Sequence, residues 1–224
     1  MFLDAWIVLK KDLLIEMRTR VVMVQVLPIA GAILIIFGFA LGPDNQTLQK
    51  AAPGLIWIAI ILSCLIAVER SLSIEYPLGR DGLRLLNLDP AGLFLGKALA
   101  ISIEMIGISF LVVFGSVTLY GSRFNHFTGL LMVVLTCILG SLALSFIGAL
   151  YGAMSLGSQI RETLVPLLFL PVAAPVLLAS TEITAKYLGM TTGSSLKWLG
   201  VLIALTISYF AIGFVGFEPL LEER

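Results

Sequence analysis

The residues best placed to do work lie in the run ERSLSIEYPLGRDGLRLLNLDP, Glu69–Pro90, a charged island between two long hydrophobic stretches. Its second half, DGLRLLNLDP, is expected to form a short helix. Asp81 puts a carboxylate at the N-terminus, where unpaired N–H groups favour an acceptor, and Gly82 follows. Pro90, which has no N–H to donate, stops it. Leu83, Leu86 and Leu85 then give an apolar face with Arg84 beside it. The chemistry this permits is mechanical, not covalent: a short helix projecting from a loop fits a groove on a peripheral protein and carries force. A solvated connector is the alternative, but it has no use for so many leucines.

Elsewhere no catalytic constellation is found. His126 is the lone histidine and cannot pair with another imidazole; in SRFNHF it reads as an interfacial loop residue, with a haem-iron ligand as the rival role. GLFLGKA, Gly92–Ala98, fails as a phosphate loop: it is one residue short, no Ser or Thr follows Lys97, and no strand precedes it. Nucleotide is therefore not bound by that route, and any ATP used is hydrolysed by another subunit. Cys64 and Cys137 both fall inside hydrophobic runs without CxxC or Cys/His neighbours, which leaves them as small apolar fillers and gives no metal site. Glu104 lies about two turns past Lys97, so both project from one helix face. A carboxylate in hydrocarbon is expensive unless it faces protein or water. Glu104 either lines a substrate path or makes a structural polar contact, with Lys97 or across helices. Gln25 is expected to hydrogen-bond between helices.

The elements that must carry these residues follow from composition. At 59% hydrophobic and 12% charged residues, with a mean hydropathy of +1.06, the chain exceeds what a 224-residue core could bury. Its solvent is the lipid bilayer. A net charge of zero argues against a nucleic-acid partner. A span needs about 20 mostly apolar residues. Six runs qualify: Val21–Leu41, Ala52–Val68, Leu93–Tyr120, Phe127–Tyr151, Thr163–Ser180 and Lys197–Phe217. The expected fold is an all-α integral membrane protein, a single transmembrane domain over 1–224. Residues 1–20 form an elbow, 69–92 a loop, and 93–217 spans three to six.

Orientation follows the positive-inside rule. Lys10, Lys11, Arg18, Arg20, Arg70, Arg80, Arg84, Arg161 and Arg224 fall on one side, nine cations against three (Lys50, Arg123 and Lys186) on the other. Both termini and the island are thus expected in the cytoplasm (N-in, C-in). The start of the chain intersperses charge and has no short apolar core before a cleavage site, so the first span is expected to be retained. Trp6, Leu9, Leu13 and Met17, with Ile7 and Leu14, recur at helical spacing while Asp4, Lys11, Asp12 and Arg18 fill the remaining arc. This predicts an amphipathic helix on the membrane surface, against the alternative of a polar leader. Small pairs at Gly38/Gly42, Gly92/Gly96 and Gly148/Gly152 are packing sites whose partner helices stay open. Pro166, Pro171 and Pro175 fall within the fifth span. They predict a kinked helix or a broken, re-entrant gating element leading into the polar stretch STEITAKYLGMTTGSS.

With these residues in view, the chain resembles the membrane subunits of ABC-2-type transporters, and more closely the haem exporter protein B family, the permease of the cytochrome c maturation system. The likeness rests on KKDLLIEMRTR (Lys10–Arg20), the run from Glu69 to Lys97, and LVPLLFLPVAAPVLLAS (Leu164–Ser180). The resemblance implies a bacterial inner-membrane location, a cytoplasmic ATP-binding subunit and a haem-handling membrane partner with a tryptophan-rich periplasmic segment. It also implies a haem chaperone whose loaded form is released at the cost of ATP, and a homodimer or a pairing with a homologous half. By position, Asp81–Pro90 would be the coupling helix, with Glu69 and Glu75 as charged neighbours of the ATPase contact. The chain's own three tryptophans, Trp6, Trp57 and Trp198, are scattered. Haem is therefore expected to be handled by the complex and not ligated directly here. The rivals are an ABC-2 permease for a lipid, drug or glycan, a non-transporting adaptor docking an ATPase to a haem-binding subunit, a secondary transporter with Glu104 as proton site, and a membrane enzyme.

Overall fold

The computed structural model describes residues 1–20, 22–42, 44–73, 89–121, 127–155, 161–191 and 194–222. Every regular element among them is helical: α1 (Phe2–Thr19), a π-helical stretch (Val22–Val26), α2 (Leu27–Ala40), α3 (Asn45–Ser73), α4 (Pro90–Tyr120), α5 (Phe127–Ser155), α6 (Arg161–Tyr187) and α7 (Ser195–Glu222). The five helices α3 to α7 are long and apolar enough to cross a bilayer. The bent pair Phe2–Thr19 and Val24–Ala40, inclined by 58°, makes a sixth where it is counted as one span. At 14 residues, α2 alone would rise only about 21 Å, so the π-helical residues before it lengthen the run. Gln25, in that stretch, is exposed and does not sit between helices as expected.

α3 sits at the centre, in contact with α2, α4, α5 and α6, while α7 closes the bundle against α4, α5 and α6. Its buried side chains, from Ala52 through Trp57, Ile60 and Cys64 to Val68, cover most of the helix circumference and leave only a narrow face at Ile58 and Leu62 exposed. A helix apolar on all sides is the signature of a central position. Where large side chains meet their neighbours, glycines make room: Gly148 faces Val68 and Phe169, and Gly38 faces the Tyr120 ring. Gly42, by contrast, has φ +78° just past α2 and serves the turn, not a packing site.

Of the two alternatives left open for the fifth span, the broken element is excluded. The three prolines do not break the fifth span, because α6 runs without interruption from Arg161 to Tyr187. Its polar end stays helical to Tyr187, and Thr184 ties that end into the bundle. The Thr184 hydroxyl donates to the Ser180 carbonyl at 2.7 Å and accepts from the Trp57 indole N–H at 3.0 Å. The helix that Pro90 is expected to stop falls, up to residue 88, outside the described residues, and Pro90 itself belongs to the next element. It occupies the first turn of α4, with Asp89 at the N-cap, where a missing N–H costs nothing.

Asp44 closes the other end of α3. Its carboxylate accepts from the Gln46 and Thr47 N–H groups at 3.2 and 3.3 Å. The Thr47 hydroxyl, then the Gln46 amide, hold its carboxyl below the usual carboxylate range. A depressed folded pKa contributes stability that is present above the ordinary carboxylate pKa and lost as pH falls through the folded value. Asp44→Asn is therefore expected to flatten the acid limb of the thermal-stability profile and leave the neutral value nearly unchanged, as read by melting in detergent from neutral pH down to the acid limb.

Candidate functional site

α1 carries its pattern in three stripes, not two. Phe2, Leu3, Trp6, Ile7, Leu14 and Met17 are exposed on a broad apolar face, as lipid contact requires. Lys10, Lys11 and Arg18 are exposed beside it. The third stripe, Ala5, Val8 and Asp12 at spacings of three and four, is buried, and α1 packs on α4.

The glycine pair at the start of α4 lets the two backbones touch. A Cβ at Gly92 would lie 2.7 Å from the Met1 carbonyl oxygen, and one at Gly96 would lie 2.6 Å from the Ala5 carbonyl oxygen and 2.7 Å from Val8 Cβ. Real Cβ atoms do not approach so closely, so only glycine fits either place. The partner helix of the Gly92/Gly96 pair is α1. One residue on, Lys97 is 2% exposed and Asp12 5% exposed. The Lys97 amine stands 3.3 Å from Asp12 Oδ2. It donates to the Ser71 carbonyl at 3.0 Å and lies 3.4 Å from the Ser71 hydroxyl. Lys11 Nζ is 3.0 Å from the other Asp12 oxygen. A second strut joins α1 to α3: Arg70 Nε is 3.2 Å from Glu16 Oε2, and Arg70 Nη2 donates to the Thr19 hydroxyl at 2.7 Å.

These contacts bind α1, the last turns of α3 and the first turns of α4 into one junction. Two buried charges lose hydration that their attraction only partly returns, so the pair adds little net stability; removing one partner, however, is costly. Its effect is on geometry, since it fixes the register of three helices. Asp12, Glu16, Ala67, Arg70, Ser71 and Glu104 enclose a cavity of about 10 Å³, room for about one water molecule. On the far side of α4's first turns, Phe94 stacks with Phe217 and Phe146 at centroid distances of 5.5 and 6.2 Å, clasping α4 to α7 and α5.

The sequence-predicted residues are distributed as follows. Lys97 is bonded within the junction, Glu104 lines the small cavity there, and Glu69 is half-buried on the turn that carries Arg70. Glu75, Asp81, Gly82, Leu83, Arg84, Leu86 and His126 lie outside the described residues. Along α6, Pro166 is half-buried, while Pro171 and Pro175 face outward. Asp12 was the missed residue: placed on the polar arc of α1, it is in fact the buried partner of Lys97. The available signal was the stripe Ala5, Val8, Asp12, two small or slim residues and one carboxylate, matching a Gly-xxx-Gly-Lys on α4.

Five apolar crossings, a bent sixth and a buried polar junction at one end define a multi-pass, all-α membrane protein. The sequence profile of the CcmB protein family matches residues 3–215. Heme exporter protein B of Haemophilus influenzae is 31% identical over 209 residues, 92% of this chain and 93% of that protein. Heme exporter protein B of Pseudomonas aeruginosa is 31% identical over 189 residues, covering 80% and 81% of the two chains. The Escherichia coli protein of the same name is 29% identical over 210 residues, covering 92% and 94%. The chain belongs to the CcmB protein family.

Proposed function

We propose that this chain is the non-catalytic membrane subunit of a bacterial inner-membrane complex that handles haem for cytochrome c maturation, driven by a separate cytoplasmic ATPase. The observation that carries the reading is near end-to-end likeness to proteins named heme exporter protein B. In this reading the α1 end of the bundle faces the cytoplasm, as the surplus of Lys and Arg there requires. Asp81–Pro90 is the coupling helix, with Glu69 and Glu75 beside it. A haem-handling membrane subunit is the second partner, and haem is cargo of the complex, not a resident cofactor of this chain. Closure of the ATPase pushes the loop between α3 and α4, and the spans α2, α3 and α6 shift against one another. Support for a handle at this place comes from the loop's flanks: Ser71 and Asp89 bracket it, and Ser71 is bonded to the buried Lys97.

Reversing both charges, Asp81→Lys with Arg84→Glu, is expected to abolish co-purification with the ATPase while membrane insertion stays normal. Undiminished co-purification would sink the coupling assignment.

A further inference from the structure

We propose that α1 holds an anionic phospholipid, its phosphate met by the Lys10 amine and its acyl chains laid against the apolar residues that surround Lys10. The proposal goes beyond the functional reading above and does not depend on it.

The position of Lys10 on the helix carries the proposal. On a helix surface the neighbours of a residue lie three, four and seven positions away. For Lys10 these are Ile7 and Leu13, Trp6 and Leu14, and Leu3 and Met17, every one of them apolar. Leu13 is half-buried and the other five are exposed, Trp6 at 66% and Met17 at 74%. Lys10 is exposed too, so its cation stands in the middle of the lipid-facing surface and not at its edge. The carboxylates of α1 point elsewhere. With 3.6 residues per turn, Asp4 and Glu16 lie about 120° from Lys10 around the helix and Asp12 about 160°. Asp12 and Glu16 turn inward, to Lys97 and Arg70. An ammonium ringed by apolar side chains at a lipid surface lays its stem along them and reaches for the nearest polar layer. In a bilayer that layer holds the phosphates.

The placement of α1 brings that layer within reach. Phe2–Thr19 is inclined by 58° to Val24–Ala40. With Val24–Ala40 along the membrane normal, α1 lies nearer the plane of the bilayer than the normal, as an interfacial helix does. Charge then selects among lipids. Asp12 and Glu16 are matched by Lys97 and Arg70 across the junction, so Lys11, 3.0 Å from Asp12, adds charge to a set already balanced. The exposed side of α1 carries Lys10, Lys11, Arg18 and Arg20. A zwitterionic headgroup presents its phosphate together with an ammonium that repels these cations; a net-negative headgroup does not. A second copy of the chain is the rival occupant of this face, but packing α1 on its own copy would set the same four cations against each other.

The test is quenching of tryptophan fluorescence by lipids brominated in their acyl chains, on the full chain in nanodiscs. Two mixtures contain the same proportions of phosphatidylglycerol and phosphatidylcholine and differ in which of the two is brominated. Trp6→Phe gives the background from Trp57 and Trp198, and its subtraction leaves the Trp6 signal. That signal is expected to favour phosphatidylglycerol about fivefold, the worth of one cation beside an anionic surface. Lys10→Gln is expected to bring the preference close to parity and Lys10→Arg to keep it. Lys50→Gln, an exposed change at the start of α3, is expected to leave it as in the parent. Equal quenching by the two lipids in the parent would overturn the proposal, as would a parental preference in Lys10→Gln. Quenching of Trp6 by neither lipid would mean that a second copy covers the face, and would overturn it too. Should Lys10→Gln melt below the parent, Lys10→Met, which suits the apolar surroundings, takes its place with the same expected result.

Discussion

Gly96→Val is expected to peel α1 away from α4 while leaving the six-span bundle inserted. The two nearest obstacles to a new Cβ are the Ala5 carbonyl oxygen at 2.6 Å and Val8 Cβ at 2.7 Å, and neither is the free end of a flexible side chain. Relief must come from moving a whole helix. Overpacking a tight contact costs about 1–3 kcal/mol, and the loss of the Asp12 partnership that depends on the contact adds to it. A shift of about 3 kcal/mol corresponds to roughly a hundredfold change in the docked-to-undocked ratio. Trypsin in nanodiscs should then cut after Lys10, Lys11 or Arg18 at least tenfold faster than in the parent. Gly107→Val is the control, since a Cβ there meets nothing within 4 Å. If both variants are cut at the parental rate, α1 is not held by the glycine pair.

What the sequence discloses and what it hides divides along one physical line. Spans were legible because a bilayer forces each backbone polar group to be satisfied within its own helix, so length and hydropathy nearly determine the elements. The amphipathic α1 was legible for the same reason, through Trp6, Leu14 and Met17 on its lipid face. Contacts between helices were not. In lipid, apolar surface does not distinguish a core position from a lipid-facing one, because hydrocarbon tails are as apolar as leucine. Trp57 at 1% exposure and Phe39 at 83% occupy indistinguishable apolar stretches. The prolines of α6 left a kinked and a broken helix equally open, because a lost backbone donor allows either; the span is unbroken, and the Tyr209 hydroxyl donates to the Val172 carbonyl beside Pro171 at 2.5 Å. Lys97 and Glu104 were found because ionisable groups in an apolar run have few acceptable places. Asp12 was lost because on an amphipathic helix a carboxylate has an easy alternative explanation.

Trp57→Ala is expected to loosen the centre of the bundle, and the origin of its cost differs from that in a soluble core. The indole is fully buried in α3. It rests on Gly140, where a Cβ would lie 2.6 Å from the ring, and donates its N–H to Thr184 of α6 at 3.0 Å. In a soluble protein such a deletion costs about 3–5 kcal/mol, the sum of lost transfer energy and an unfilled cavity. Here unfolding within the membrane would expose the ring to lipid, not water, so the transfer part largely cancels. What remains is the cavity with its lost dispersion contacts, plus one hydrogen bond worth about 1 kcal/mol. A total of about 2–3 kcal/mol is expected, measured as reversible unfolding in mixed micelles. Trp57→Phe keeps most of the volume and should lose little beyond the bond. Thr184→Val removes the acceptor together with the hydroxyl's own bond to the Ser180 carbonyl and leaves the buried indole N–H unpaired, so it should cost at least as much as Trp57→Phe. If Trp57→Ala costs no more than Trp57→Phe, the α3–α5–α6 core is not packed around this ring, and the central position of α3 loses its main support.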